Sequence, residues 1–160
     1  NPHDRLNHLK SAEVIIDHVN NGVKIAQKHN LPTPIVEFIA THHGTTKANY
    51  FFLKHQQENP DEKIDDKAFI YPGPLPKSKE AAVVMLVDGI EAASRSMKEK
   101  TRENLKELID SMIDKKISDR QLNDSDLTFR DIDTIKATLL QKLINIYHIR
   151  IEYPKETKKE

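Results

Sequence analysis

The run Ala81–Val87, AAVVMLV, constrains the fold more than any other stretch, because it is the longest unbroken apolar segment of a 160-residue chain and falls inside helical sequence. A membrane helix needs roughly 20 such residues, so this run spans no bilayer. A helix turn that is apolar all round belongs in the interior instead. The segment SKEAAVVMLVDGIEAASRSM, capped by Ser78, is therefore expected at the centre of the structure. The C-terminal third supplies amphipathic partners. Helical spacing links Leu105, Leu108, Ile109, Met112 and Ile113 in TRENLKELIDSMIDKKIS, and Ile132, Ile135, Leu139, Leu143 and Ile146 in TFRDIDTIKATLLQKLINIYH. Thr128 with Asp131 three residues on forms a capping box with Asp in place of Glu. The fold class is all-α, in one domain with a real core.

The N-terminal part reads as two further helices. In SAEVIIDHVNNGVKIAQKHN, Ser11 to Asn30, Ser11 is the N-cap and Glu13 sits in the first turn. Val14, Ile15, His18, Val19, Gly22, Ile25 and Ala26 fall in one arc, which places His18 within the apolar face. Thr33-Pro34 opens the second helix, where Ile35, Phe38, Ile39 and His42, and then Val36, Ile39, Ala40 and His43, follow helical spacing. Both histidines thus prolong the buried stripe, and Gly44 ends it as a left-handed C-terminal glycine. From His55 to Lys79 the chain is rich in charge and proline and reads as a long loop, a lid or an edge of a site. The tail PKETKKE, with residues 155–160 as its charged end, has nothing apolar to bury.

Charge and composition narrow the chemistry. Twenty-five basic and 25 acidic residues give zero net charge, so no global field draws the chain to a nucleic-acid polymer or an anionic membrane. A local phosphate site stays open. With no cysteine, any metal must be held by His, Asp and Glu. No basic-then-apolar signal stands at the N-terminus, and cytoplasmic exposure is the default expectation.

Taken singly, the polar residues on apolar faces have plain readings. His18 suits a hydrogen-bonded core histidine, His42 or His43 a helix C-terminus, and Asp88, before Gly89, a helix cap or kink. Together, three histidines and an aspartate on inward faces point to metal. A buried Asp88 needs a cation, and no Arg or Lys lies within Ala81–Val87. Imidazole with carboxylate suits Fe, Mn or Zn, and adjacent histidines can each face a different ion of a pair.

These residues carry a resemblance. His18, the pair in HHGTT, and Asp88 in VMLVDGIEAASRSM resemble the later metal ligands of an HD-domain phosphohydrolase. NPHDRL, DHVNNGV, HHGTT, FIYPGPLPKSKEAA and IYHIRIEYP resemble, more narrowly, the cytoplasmic domain of the seven-transmembrane HD family of cyclic di-AMP phosphodiesterases, from Asn1 to Pro154. The resemblance implies an HD-type helical bundle over 1–154 and a two-metal site, with Fe or Mn as the expected divalent ions. It implies hydrolysis of cyclic di-AMP, a nucleotide second messenger, to linear pApA. It also implies a place on the cytoplasmic face of the membrane, next to the transmembrane region of a parent protein.

Carried over, His18 binds one ion, His42 and His43 serve the second, and Asp88 closes the first ion's shell; the same four carry catalysis. An earlier histidine and the His-Asp pair that names the family lie upstream of the NPHD-like segment, so this chain reads as the N-terminally incomplete, C-terminal part of the domain. His3-Asp4 is an unsuited substitute, since a loop at a free terminus does not pre-organise ligands. Apolar surface left by missing helices would favour a homo-oligomer.

Substrate contacts are expected from Thr45, Thr46 and Lys47 after the histidines, from Tyr71 in the turn Tyr71-Pro72-Gly73-Pro74, and from Arg95, seven residues past Asp88. Plain readings stand beside them: Lys47 as a solvated loop lysine, Arg95 in a salt bridge, and Tyr50, Phe51 and Phe52 as core rather than adenine-stacking residues. A non-catalytic cyclic-dinucleotide-binding or helical interaction module is the alternative function.

Overall fold

The computed structural model describes residues 7–61 and 64–149; His3-Asp4 and the tail 155–160 lie outside the described residues. Helices run over His8–Lys28 (α1), Thr33–Thr41 (α2), Asn49–Glu58 (α3), Lys79–Ser96 (α4), Arg102–Ser118 (α5) and Phe129–Ile146 (α6), with a 3₁₀ turn at Asp66–Phe69. Among the described residues there is no strand, only an antiparallel bridge between Lys47 and Ile70. The fold is all-α, as expected.

Packing makes α4 the hinge between two halves. α1 lies against α2, α3 and the 3₁₀ turn, α2 against α4, α4 against α5, and α5 against α6. The main core joins Ala82, Met85, Leu86 and Ile90 of α4 to Leu105, Ile109 and Ile113 of α5 and Ile132, Leu143 and Ile144 of α6. α4 is less enclosed than its composition suggests. Val87 is exposed, and a groove between α4 and α6 is lined by Val83, Val87, Ile135, Leu139 and Ile146.

Two N-terminal readings need correction. α1 starts at His8, with Asn7 as its cap: the Asn7 side chain accepts from the Lys10 amide at 2.7 Å, while Ser11 is buried a turn later. Asn caps as well as Ser, so the earlier polar residue took the role. The buried seam of α1 is also narrower than its apolar arc: Ala12, Val19 and Ala26 are buried, but Val14 and Ile25 are 44% and 60% exposed. His18 therefore lies on an exposed flank of the helix.

The expected loop from His55 is partly structured. Its first residues belong to α3, which buries none of its residues fully and so carries little apolar periodicity. α3 is tied down by Phe52 against Phe69, ring centroids 5.5 Å apart, and by a 2.8 Å hydrogen bond between His8 Nε2 and Glu58 Oε1. Phe69, Tyr71 and Pro76 are buried, so the irregular segment forms part of the interior rather than a loose lid.

The capping box of α6 is present and does more than end a helix. Thr128 Oγ1 accepts from the Asp131 amide at 3.1 Å, and Asp131 Oδ2 accepts from the Thr128 amide at 2.9 Å. The same carboxylate takes Lys79 Nζ at 2.8 Å, joining the starts of α6 and α4. Lys79 first, and then the Thr128 bonds, hold the Asp131 carboxyl well below the usual carboxylate range. Thr128→Ala is expected to cost about 1 kcal/mol in urea denaturation. A depressed folded pKa gives stability that is present above the unfolded value and lost as pH falls through the folded one. The destabilisation by Asp131→Asn should accordingly be largest at neutral pH and shrink as pH falls below about 4; a penalty independent of pH would contradict this account.

Candidate metal centre

The centre forms where α1 crosses α2. A Cβ placed on Gly22 would meet Ile39 Cγ2 at 2.9 Å, so the two helices touch backbone to side chain there. His18 lies one turn before Gly22, and His42 nearly one turn beyond Ile39. Close approach at the glycine thus carries the two imidazoles to each other. His18, His42 and His43 form a group whose ligating nitrogens all lie within 4.8 Å of one another.

The tautomers follow from the backbone. His18 Nδ1 bonds to the Ile15 carbonyl, and His42 Nδ1 to the Ile39 carbonyl at 2.8 Å. A carbonyl only accepts, so both Nδ1 atoms carry the hydrogen, and in the neutral rings both Nε2 atoms present lone pairs. Those Nε2 atoms stand 3.1 Å apart. Two imidazoles bonded to one ion at about 2.1 Å place their nitrogens about 3.0 Å apart at a right angle and about 3.4 Å at the tetrahedral angle. The observed spacing fits neighbouring ligands of one ion. Lone pairs facing each other without a cation would repel.

His43 completes the group. Its ring lies 4.1 Å from that of His42 and is stacked on Tyr71, also at 4.1 Å, with the planes 23° apart. Burial, with help from His42, His18 and Lys116, lowers the His43 pKa to about 3, so it is neutral and able to ligate across the physiological range. Burial, and then the charge of Asp88, pushes the Tyr71 hydroxyl up to about 12. Asp88 is therefore close enough to act on the ring that covers His43.

Asp88 itself departs from expectation. It is exposed, because the apolar run ends at Val87 and the side chain meets solvent, so no unpaired buried charge calls for a metal. It also stands outside the three-imidazole group among the described residues. His18 stands in one group with His42 and His43.

The remaining expected residues divide. Thr46 Oγ1 donates to the His43 carbonyl at 2.7 Å, and the Thr46 carbonyl accepts from the Tyr71 amide at 2.9 Å. Lys47 pairs with Asp66 and lies 4.0 Å over the Phe52 ring, so it is not a free solvated lysine. Thr45, Thr46 and Lys47 line a cavity of about 680 Å³, together with Lys116 and Gln121. Arg95 lies outside this cavity, in the salt bridge that was its plain reading, to Glu91 at 2.5 Å. Tyr50 is 66% exposed, against its reading as core, while Phe52 packs inward.

Sequence reasoning missed Gln121 and Lys116. Gln121 is buried, accepts from the Thr45 amide at 2.9 Å and donates through Nε2 to Thr45 Oγ1 at 2.9 Å. It lies in the turn after α5, where no periodicity marks it. Lys116 did leave a signal: it continues the stripe Ile109, Met112 at i, i+3, i+7.

Gly44 joins the centre to this anchor. Its φ is +54°, and an added Cβ would meet Gln121 Oε1 at 2.6 Å and Met85 Cε at 2.8 Å. Gly44→Ala should cost about 2 kcal/mol or more. Gly89→Ala, inside α4 with Met112 Cε at 3.3 Å, should be close to neutral. Urea denaturation of the two variants side by side checks this, and equal effects would contradict it.

No family model matches the chain. The cyclic-di-AMP phosphodiesterase PgpH of Bacillus subtilis is 40% identical over 159 residues, covering 99% of this chain and 22% of its own length. That of Listeria monocytogenes is 40% identical over 154 residues, covering 96% of this chain and 21% of its own. The chain thus spans about a fifth of the length of these curated relatives. The crystal structure of the L. monocytogenes PgpH HD domain in complex with cyclic-di-AMP matches with a TM-score of 0.87 and 38% identity, over 96% of this chain and 71% of that one. With sequence and fold agreeing across most of a solved domain, the chain belongs to the family of the PgpH HD domains.

Proposed function

We propose that this chain holds one ion of a two-metal centre that hydrolyses cyclic di-AMP to linear pApA. The observation that carries the proposal is the convergence of His18 Nε2 and His42 Nε2 at 3.1 Å, each fixed by its own helix carbonyl, beside a cavity of nucleotide size. His18, His42 and His43 would hold that ion together. Asp88, on the Tyr71 side, would serve the second. Divalent Fe or Mn suits such imidazole and carboxylate donors. When bound, the ions supply positive charge that offsets the charge developing on the scissile phosphate.

The protein's own groups do the positioning. Tyr71 covers His43 and limits solvent on that side, while Thr45 and Thr46 fix the chain next to the reacting phosphate through Gln121 and the His43 carbonyl. Water adds to phosphorus, the bond to the 3′ oxygen breaks, and a 5′ phosphate and a 3′ hydroxyl result. In a parent protein of the relatives' kind, the domain would work on the cytoplasmic side next to a transmembrane region; no helix among the described residues is long and apolar enough to cross a membrane.

A second reading rests on Asp88 standing apart from the imidazole group. On it, the domain is a non-catalytic module that binds cyclic di-AMP and leaves it intact. Elemental analysis of the purified chain should find about one Fe or Mn per molecule, lost on changing His42 and His43 to Ala with the helical circular dichroism retained. Equal metal in both proteins would refute the imidazole site. Chromatography of cyclic di-AMP after incubation with the metal-loaded parent protein then separates the readings: pApA supports hydrolysis, and retained, unaltered cyclic di-AMP supports binding alone.

A further inference from the structure

The cavity beside the metal centre has a chemical character of its own. Its walls come from Thr45, Thr46, Lys47, Met112, Lys116 and Gln121, and no imidazole lines it. A phosphate held at the histidines would therefore lie outside it. Three lysines reach the cavity, and two are already neutralised: Lys47 by Asp66, and Lys115 by Asp119 at 2.9 Å. Lys116 has no carboxylate within ion-pair distance among the described residues. It is half-buried, between the apolar side chains of α5 and the loop held by Gln121.

An unpaired, half-buried ammonium is costly unless an anion meets it. Burial lowers its pKa, against the opposing charges of Asp119 and Asp88. It also acts on His43 through space, which places it near the centre without belonging to it. Resting on the cyclic di-AMP reading above, we propose that Lys116 binds the phosphodiester that is not being cleaved, and that this cavity is the subsite for the distal half of the cyclic dinucleotide. Lys116 would then be a specificity-determining residue: it favours a ligand with two phosphodiesters over a mononucleotide that can only occupy the metal centre.

The test is equilibrium calorimetry of the Mn²⁺-loaded 160-residue chain with cyclic di-AMP and, separately, AMP, for wild type, Lys116→Met and Lys116→Arg. The expected result is a preference of wild type for cyclic di-AMP that falls by about tenfold or more in Lys116→Met. AMP affinity and Mn²⁺ affinity should stay within about twofold, and Lys116→Arg should retain most of the preference. An equal loss for both nucleotides would place Lys116 at the metal-bound phosphate and overturn the proposal. So would an unchanged preference in Lys116→Met, or a wild type that binds both alike. A wild type that binds Mn²⁺ but neither nucleotide would instead sink the cyclic di-AMP reading itself, and the subsite with it.

Discussion

The contact between Gly22 and Ile39 sets the separation of α1 and α2, and the geometry of the imidazole group depends on that separation. Each helix fixes its own imidazole by a bond from Nδ1 to a carbonyl three residues earlier, so ring orientation is settled locally before the helices meet. What the tertiary structure adds is distance. A larger residue at position 22 would move the helices apart and open the 3.1 Å spacing of the two lone pairs. The site is thus encoded in two parts: tautomer by the helices, and bite by a missing side chain.

Around this pair, the C-terminal half acts as support. α4 joins the halves through Met85 and Leu86 in the core, and Met85 also reaches the underside of Gly44. Gln121 satisfies the Thr45 amide from the opposite direction. The loop that follows the paired histidines is therefore gripped by groups more than 70 residues away in sequence, as the separation of 76 between Thr45 and Gln121 shows. Buried amides need such partners, and here the partner also fixes where the cavity begins.

Much of this was legible in the residues. Amphipathic spacing revealed α5 and α6, Ser78 and Thr128 marked helix starts, and the HHGTT segment with His18 pointed to the imidazole group. Less legible was everything that depends on which part of an apolar arc is covered. Val14, His18 and Ile25 share an arc with Val19 and Ala26, yet only the latter two are buried. Asp88 was read as buried because the run before it is apolar, but burial stops where the packed partner stops. α3 escaped notice because NYFFLKHQQE lacks an apolar face, its place being fixed by a hydrogen bond to His8 and ring contacts. Gln121 was invisible for a similar reason: its role exists only across the fold.

The Gln121 bonds carry one more consequence. The segment bearing the histidines belongs to the N-terminal half, yet its amide is satisfied from the turn after α5. Opening of α5 and α6 would therefore strip a bond from the chain beside the paired histidines, and anything bound to those histidines would oppose the opening. Occupancy of the centre is in this way linked to hydrogen exchange in helices that supply none of the three imidazoles. The two halves share one free energy, and an ion held by the imidazoles would be felt throughout both.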